Sequence, residues 1–195
     1  MPFDMKILFE IIMKKSIIIF IMVSVLLAVY QPIKSQEDIK GKMFYSELGG
    51  SGVIFSLNFD SRFKAGERLG WGFRAGFGSS IENFDWNVVF NTVGDDNEPK
   101  MRSYYTIPVG INYILGKKNS AKSFEIGAGT TFLTRKANLF YYNVKTPGHF
   151  IGHLNFMFRR VPLNGGLAFR VGFTPIIGTS GDIYPMGAVG FGYAF

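Results

Sequence analysis

The sequence predicts an all-β fold, a transmembrane antiparallel up-and-down β-barrel of eight strands. Three observations point there. The chain falls into segments in which large apolar residues alternate with small or polar ones, the period-two signature of strands with one apolar face. Its 195 residues include 21 Phe and 24 Gly, with 16% aromatic and only 18% charged residues, a balance unusual for a soluble domain. Beyond the N-terminus no window reaches the roughly 18 uninterrupted apolar residues of a membrane helix, so spanning would have to use closed strands.

The N-terminus precedes the barrel pattern. Lys14 and Lys15 lead into an apolar run from Ile17 to Ala28, followed by Pro32 and a short polar stretch ending at Ser35 and Gln36. That order fits a secretory signal peptide over residues 1–35, cleaved after Ser35, with the barrel domain over 36–195. Asp4 and Glu10 are residues a signal peptide does not need, so Met13 fits as the start. The alternative, an anchoring helix, needs a longer run than the one before Pro32.

From Met43 the alternation sets Phe44, Ser46 and Leu48 against Tyr45, Glu47 and Gly49. After Gly49-Gly50-Ser51-Gly52 the apolar positions become Val53, Phe55, Leu57 and Phe59. One regular strand cannot switch faces; a glycine-rich hairpin turn or a bulge can, and the hairpin keeps the strand count even. Residues 61–68 read as a polar turn. The third strand, 69–79, places Trp71, Phe73, Ala75 and Phe77 opposite Gly72, Arg74, Gly76 and Gly78. A long polar loop covers 80–102. The fourth strand, 103–115, alternates Tyr105, Ile107, Val109, Ile111 and Tyr113 against Tyr104, Thr106, Pro108, Gly110 and Asn112. Pro108 removes a ladder donor, so a local bulge is expected there.

A basic turn, 116–122, precedes the fifth strand, 123–135, where Phe124, Ile126, Ala128, Thr130 and Phe132 oppose Glu125, Gly127, Gly129 and Thr131. A loop over 136–148 leads to the sixth strand, 149–160, with Phe150, Leu154, Phe156 and Phe158 against His153, Asn155, Met157 and Arg159. Pro162 and Asn164-Gly165 favour a tight reversal. The seventh strand, 166–177, sets Leu167, Phe169, Val171 and Phe173 against Ala168, Arg170, Gly172 and Thr174. The last strand, 184–195, sets Val189, Phe191, Tyr193 and Phe195 against Ala188, Gly190, Gly192 and Ala194. Short connections thus alternate with longer ones, as they do between the two ends of a membrane barrel.

Volume decides which face is inside. Roughly 35 large apolar side chains share the apolar face, more than the narrow interior of an eight-stranded barrel can hold, so a soluble barrel binding an apolar ligand is the poorer fit. The inward charges are then Glu47, Arg74, Glu125, Arg159 and Arg170, with Asp60 near a strand end. Buried charges need partners, so these residues and His153 are expected to form a salt-bridged lumen network; the alternative is a selective water-filled path.

Other chemistry finds little support. With no cysteine, disulfides, thiolate metal sites, thiol redox chemistry and a lipidated cysteine anchor are excluded. His149 and His153 sit about 13 Å apart on an extended strand, too far to hold one metal together. No cofactor is expected. The net charge of +7 is scattered, without a basic stripe or recognition motif, so nucleic acid is not an expected partner. Ser46 and Thr130 are outward hydroxyls with no accompanying His or carboxylate, so an enzyme is not expected. The 80–102 loop, with Trp86, Asp95, Asp96 and Glu98, is the expected contact with an extracellular ligand.

Taken with the leader and the strand pattern, Glu47-Leu48-Gly49-Gly50, Gly172-Phe173-Thr174-Pro175 and the terminal Gly192-Tyr193-Ala194-Phe195 resemble the small outer-membrane β-barrel proteins of Gram-negative bacteria. The resemblance covers the whole chain after the leader, and its motifs specify architecture more than activity. It implies a monomer in the cell outer membrane, with membrane lipid and lipopolysaccharide around it. It also implies that Phe191, Tyr193 and Phe195 form the signal read by the barrel-assembly machinery. The expected role is structural or interactive at the cell surface; the alternatives are a narrow porin-like pore for small solutes and a lipid-modifying enzyme.

Overall fold

A computed structural model describes residues 41–82, 102–136, 148–179 and 181–195. The leader expected over 1–35 and the loop residues Trp86, Asp95, Asp96 and Glu98 lie outside the described residues. Alternating side chains produce ten strands: β1 (Lys42–Gly49), β2 (Phe55–Arg62), β3 (Gly70–Glu82), β4 (Arg102–Gly116), β5 (Lys122–Leu133), β6 (Phe150–Arg160), β7 (Gly166–Phe173), β8 (Ile176–Ile177), β9 (Ile183–Tyr184) and β10 (Gly187–Ala194). Apart from one 3-10 turn at Gly50–Gly52, the described residues contain no helix.

Each strand from β1 to β6 pairs antiparallel with the next, β7 pairs with β10, and β10 returns to β1. The result is a closed barrel of eight strands. Its seam is fastened beyond the ladder by Phe195 N–H to the Lys42 carbonyl at 3.0 Å and Lys42 N–H to the Phe195 carbonyl at 3.3 Å. Closure pairs the backbone groups that an edge strand would leave open.

The seventh and eighth staves are each broken once. β8 continues β7 along β6, and β9 runs on into β10, with no change of register across either gap. The interruptions fall at Thr174-Pro175 and Pro185-Met186, and the shared register sets the two prolines opposite each other. Neither proline has an N–H to give, so the ladder lapses there without shifting. Pro108 behaves in the same way. No bulge forms: the β3–β4 ladder skips Gly76-Phe77 and Ile107-Pro108 and resumes in the same register, while Pro108 stays opposite Thr131 on β5.

The barrel is inside out relative to a soluble one. Trp71, Phe77, Tyr105, Ile111, Phe132, Phe150, Leu167 and Phe191 are exposed on the outer wall, whereas Glu47, Asp60, Arg74, Glu125, His153, Arg159 and Arg170 are buried within. Aromatic pairs stand toward both ends of the wall, Trp71 against Tyr113 at 5.1 Å and Phe77 against Tyr105 at 5.4 Å. Small inward residues make room for the charges. A Cβ at Gly190 would come within 2.8 Å of Arg170 Cγ, and one at Gly72 would overlap the Arg62 guanidinium.

Between β1 and β2 the chain forms a hairpin, closed by Gly49 N–H to the Ile54 carbonyl at 2.8 Å. Its turn is buried and tucks into the barrel mouth: Thr131 donates to the Ser51 carbonyl at 2.7 Å and Thr106 to the Gly52 carbonyl at 3.1 Å. Val53, expected on the outer apolar face, instead packs inward against Tyr104, Leu133, Ile151 and Ile176. Reaching that cluster holds Val53 at φ 74 and ψ −78, a γ-turn geometry that a β-branched residue rarely adopts.

Candidate functional site

The candidate site is the filled interior. Every second residue of each stave points inward, so polar residues distant in sequence are brought into one column. Among the described residues that column holds seven buried charges, the arginines Arg62, Arg74, Arg159 and Arg170 and the carboxylates Glu47, Asp60 and Glu125.

Their order alternates in sign. Arg74 Nη1 lies 3.8 Å from Glu47, and Glu47 Oε2 lies 3.3 Å from Arg170 Nε. Arg170 Nη2 meets Glu125 Oε1 at 3.1 Å, and the other oxygen of Glu125 accepts from Arg159 Nη1 at 2.9 Å. Arg159 also reaches Asp60 at 3.3 Å, and Asp60 accepts from Arg62 Nη2 at 2.5 Å. An arginine therefore stands at each end of the chain of charges. Each carboxylate is shared by two guanidiniums, the arrangement that makes buried charge tolerable.

Neutral groups complete the column. Tyr45 accepts hydrogen bonds from Arg74 at 3.3 Å and from Arg170, whose guanidinium also lies over the Tyr45 ring at 4.7 Å. Asn112 donates to Asp60 at 2.6 Å and accepts from Arg62 at 2.7 Å. Arg74 further donates to Asn155 Oδ1 at 3.0 Å and faces His153 Nε2 at 3.3 Å.

A guanidinium has no acceptor to offer, so His153 Nε2 must be the accepting nitrogen and Nδ1 carries the proton. Nδ1 lies 3.2 Å from Thr131 Oγ1, whose own hydrogen goes to the Ser51 carbonyl. A directed path of hydrogen bonds thus joins Arg74 to the tucked turn through His153 and Thr131.

Glu47, Arg74, Glu125, His153, Arg159 and Arg170 are all members of this network. The sequence pattern assigns Arg62 to the 61–68 turn; β2 instead runs on to it and buries it beside Asp60. The signal was present in Ser56, Asn58 and Asp60, the inward parity that Arg62 continues. His149 is exposed and contacts the Leu133 carbonyl at 3.3 Å, apart from His153. Among the described residues no cluster of His, Asp and Glu suits a metal ion. Phe191, Tyr193 and Phe195 are exposed along and just past β10.

At the end of the barrel holding both strand termini, Arg68 in the β2–β3 connection donates to the Val161 carbonyl at 2.8 Å. Burial, and then the like charge of Arg159, holds the Arg68 guanidinium below its ordinary pKa.

No protein-family model, curated protein or solved structure matches this chain.

Proposed function

We propose that the chain is an integral outer-membrane β-barrel protein with a structural or cell-surface interaction role and a lumen closed by its own charges. The observation that carries this is the reversal of polarity: Phe191 is 64% exposed on the wall while Glu125, on the inner face of β5, is fully buried. In water such a wall would be an aggregation surface far larger than soluble monomers tolerate, whereas in a bilayer it is the required one. The leader read from Lys14 to Ser35 supplies the route out of the cytoplasm.

The paired interior favours a plug over the porin-like pore. Seven charges with their polar neighbours fill the width that eight strands enclose, and the inward turn at Gly50–Gly52 covers one mouth. The outward hydroxyls of Ser46 and Thr130 donate to the carbonyls of Phe191 and Ile151 at 3.2 and 3.1 Å, so an enzyme built on them is the weaker reading. Lipid, lipopolysaccharide and the barrel-assembly machinery are the proposed partners, the last through Phe191, Tyr193 and Phe195. An extracellular ligand would be met by the loop between β3 and β4.

The test is fractionation joined to electrophysiology. The protein should co-sediment with outer membranes, migrate differently in gels before and after boiling, and give no steady conductance in planar bilayers. Recovery in the soluble periplasm would overturn the membrane assignment, and stable channels would overturn the plug.

A further inference from the structure

We propose that the terminus-bearing mouth of the barrel holds one small inorganic anion, of halide size, between Arg68 and Arg159. Arg68 and Arg159 line a common cavity of about 20 Å³, joined by Lys42, Ser120 and Ser123. Such a volume suits a single small occupant.

Two independent features ask for negative charge there. The first is hydrogen bonding. Arg159 spends Nη1 on Glu125 and Asp60 and Nη2 on Met43 Sδ, and Arg68 spends Nη2 on Val161. The Nε of each is buried without a hydrogen-bond partner among the described residues. Unmet buried donors on cations are more costly than neutral ones.

The second feature is charge balance. Among the described residues the interior carries four arginines against three carboxylates, and Arg68 adds another cation at the mouth. No carboxylate is among the described residues lining the cavity; Arg159 is held by Glu125 and Asp60 from the interior side, whereas Arg68 meets no carboxylate among the described residues. A water molecule could accept from both Nε groups but would leave Arg68 without a counter-charge. A halide does both. It would also tie the β2–β3 connection, which carries Arg68, to the base of β6, which carries Arg159.

The test compares unfolding midpoints of the full chain refolded in zwitterionic detergent. Sodium chloride or bromide is set against sodium gluconate, whose anion is too bulky for the cavity, at equal ionic strength. A saturable halide-specific rise is expected; at ten times the dissociation constant the folded-to-unfolded ratio should grow about elevenfold. Arg68→Met should abolish the halide dependence. Crystals grown in bromide should show anomalous density between Arg68 Nε and Arg159 Nε. Equal midpoints in halide and gluconate, the same halide response in Arg68→Met, or a bromide-soaked cavity holding water alone would each overturn the proposal.

Discussion

Arg170 on β7 and Glu125 on β5 meet at 3.1 Å although β6 lies between their strands. The contact therefore crosses the interior and does not follow the wall. Backbone ladders join only neighbouring staves, whereas this pair and its extension to Arg159 and Asp60 tie β2, β5, β6 and β7 to one column. The wall closes the barrel, and the column fixes how its staves stand against one another.

Glu125→Gln should be costly because it removes one charge from between two guanidiniums and leaves both buried. A loss on the order of 3 to 5 kcal/mol is expected in urea unfolding from phospholipid vesicles. Arg170→Met should also destabilise, but the double variant should lose less than the sum of the two, since each residue is harmful chiefly without its partner. Losses that add to within about 0.5 kcal/mol would mean the pair does not act as a unit.

On the wall, Phe191 lies near the middle of β10 between Ser46 on β1 and Phe169 on β7. Phe191→Arg should destabilise the barrel in bilayers by about 2 to 4 kcal/mol, the cost of a cation near the bilayer midplane. In a soluble protein the same exposed substitution would be nearly neutral. Unfolding in vesicles therefore also tests where the wall sits.

Val53 combines two opposing effects. Its side chain is buried in the apolar mouth cluster, while its positive φ favours glycine. Val53→Ala loses packing and keeps the strain; Val53→Gly loses slightly more packing and releases strain of about 1 to 3 kcal/mol. The glycine variant should therefore unfold at the higher denaturant concentration, the reverse of the usual order in a strand. If alanine is the milder change, packing and not backbone conformation governs the turn.

Much of this was legible from period two alone. The parity that placed Phe191 and Tyr193 on the wall also placed Glu47, Arg74, Glu125, His153, Arg159 and Arg170 inside. Arg62 escaped because the apolar run of β2 ends at Phe59, and the strand continues on polar residues only. The tucked turn escaped for another reason: it is held by Thr106 and Thr131, 54 and 80 residues from their acceptors, and no local pattern encodes such contacts. The breaks at Pro175 and Pro185 are local in cause, but their alignment emerges only from the hairpin register.

The link between column and turn has its own consequence. Thr131→Val keeps the shape of the side chain but leaves the Ser51 carbonyl short of its Thr131 donor and removes the acceptor facing His153 Nδ1–H. Each unmet buried group costs about 1 to 3 kcal/mol, and both belong to the mouth and not to the ladders. Amide exchange should therefore quicken in the turn at Gly50–Gly52 while the paired amides of β5 and β6 keep their protection, and Thr131→Ser should restore the slow rate. Uniform loss of protection across β5 and β6 would mean that Thr131 supports the whole barrel and does not merely hold its plug.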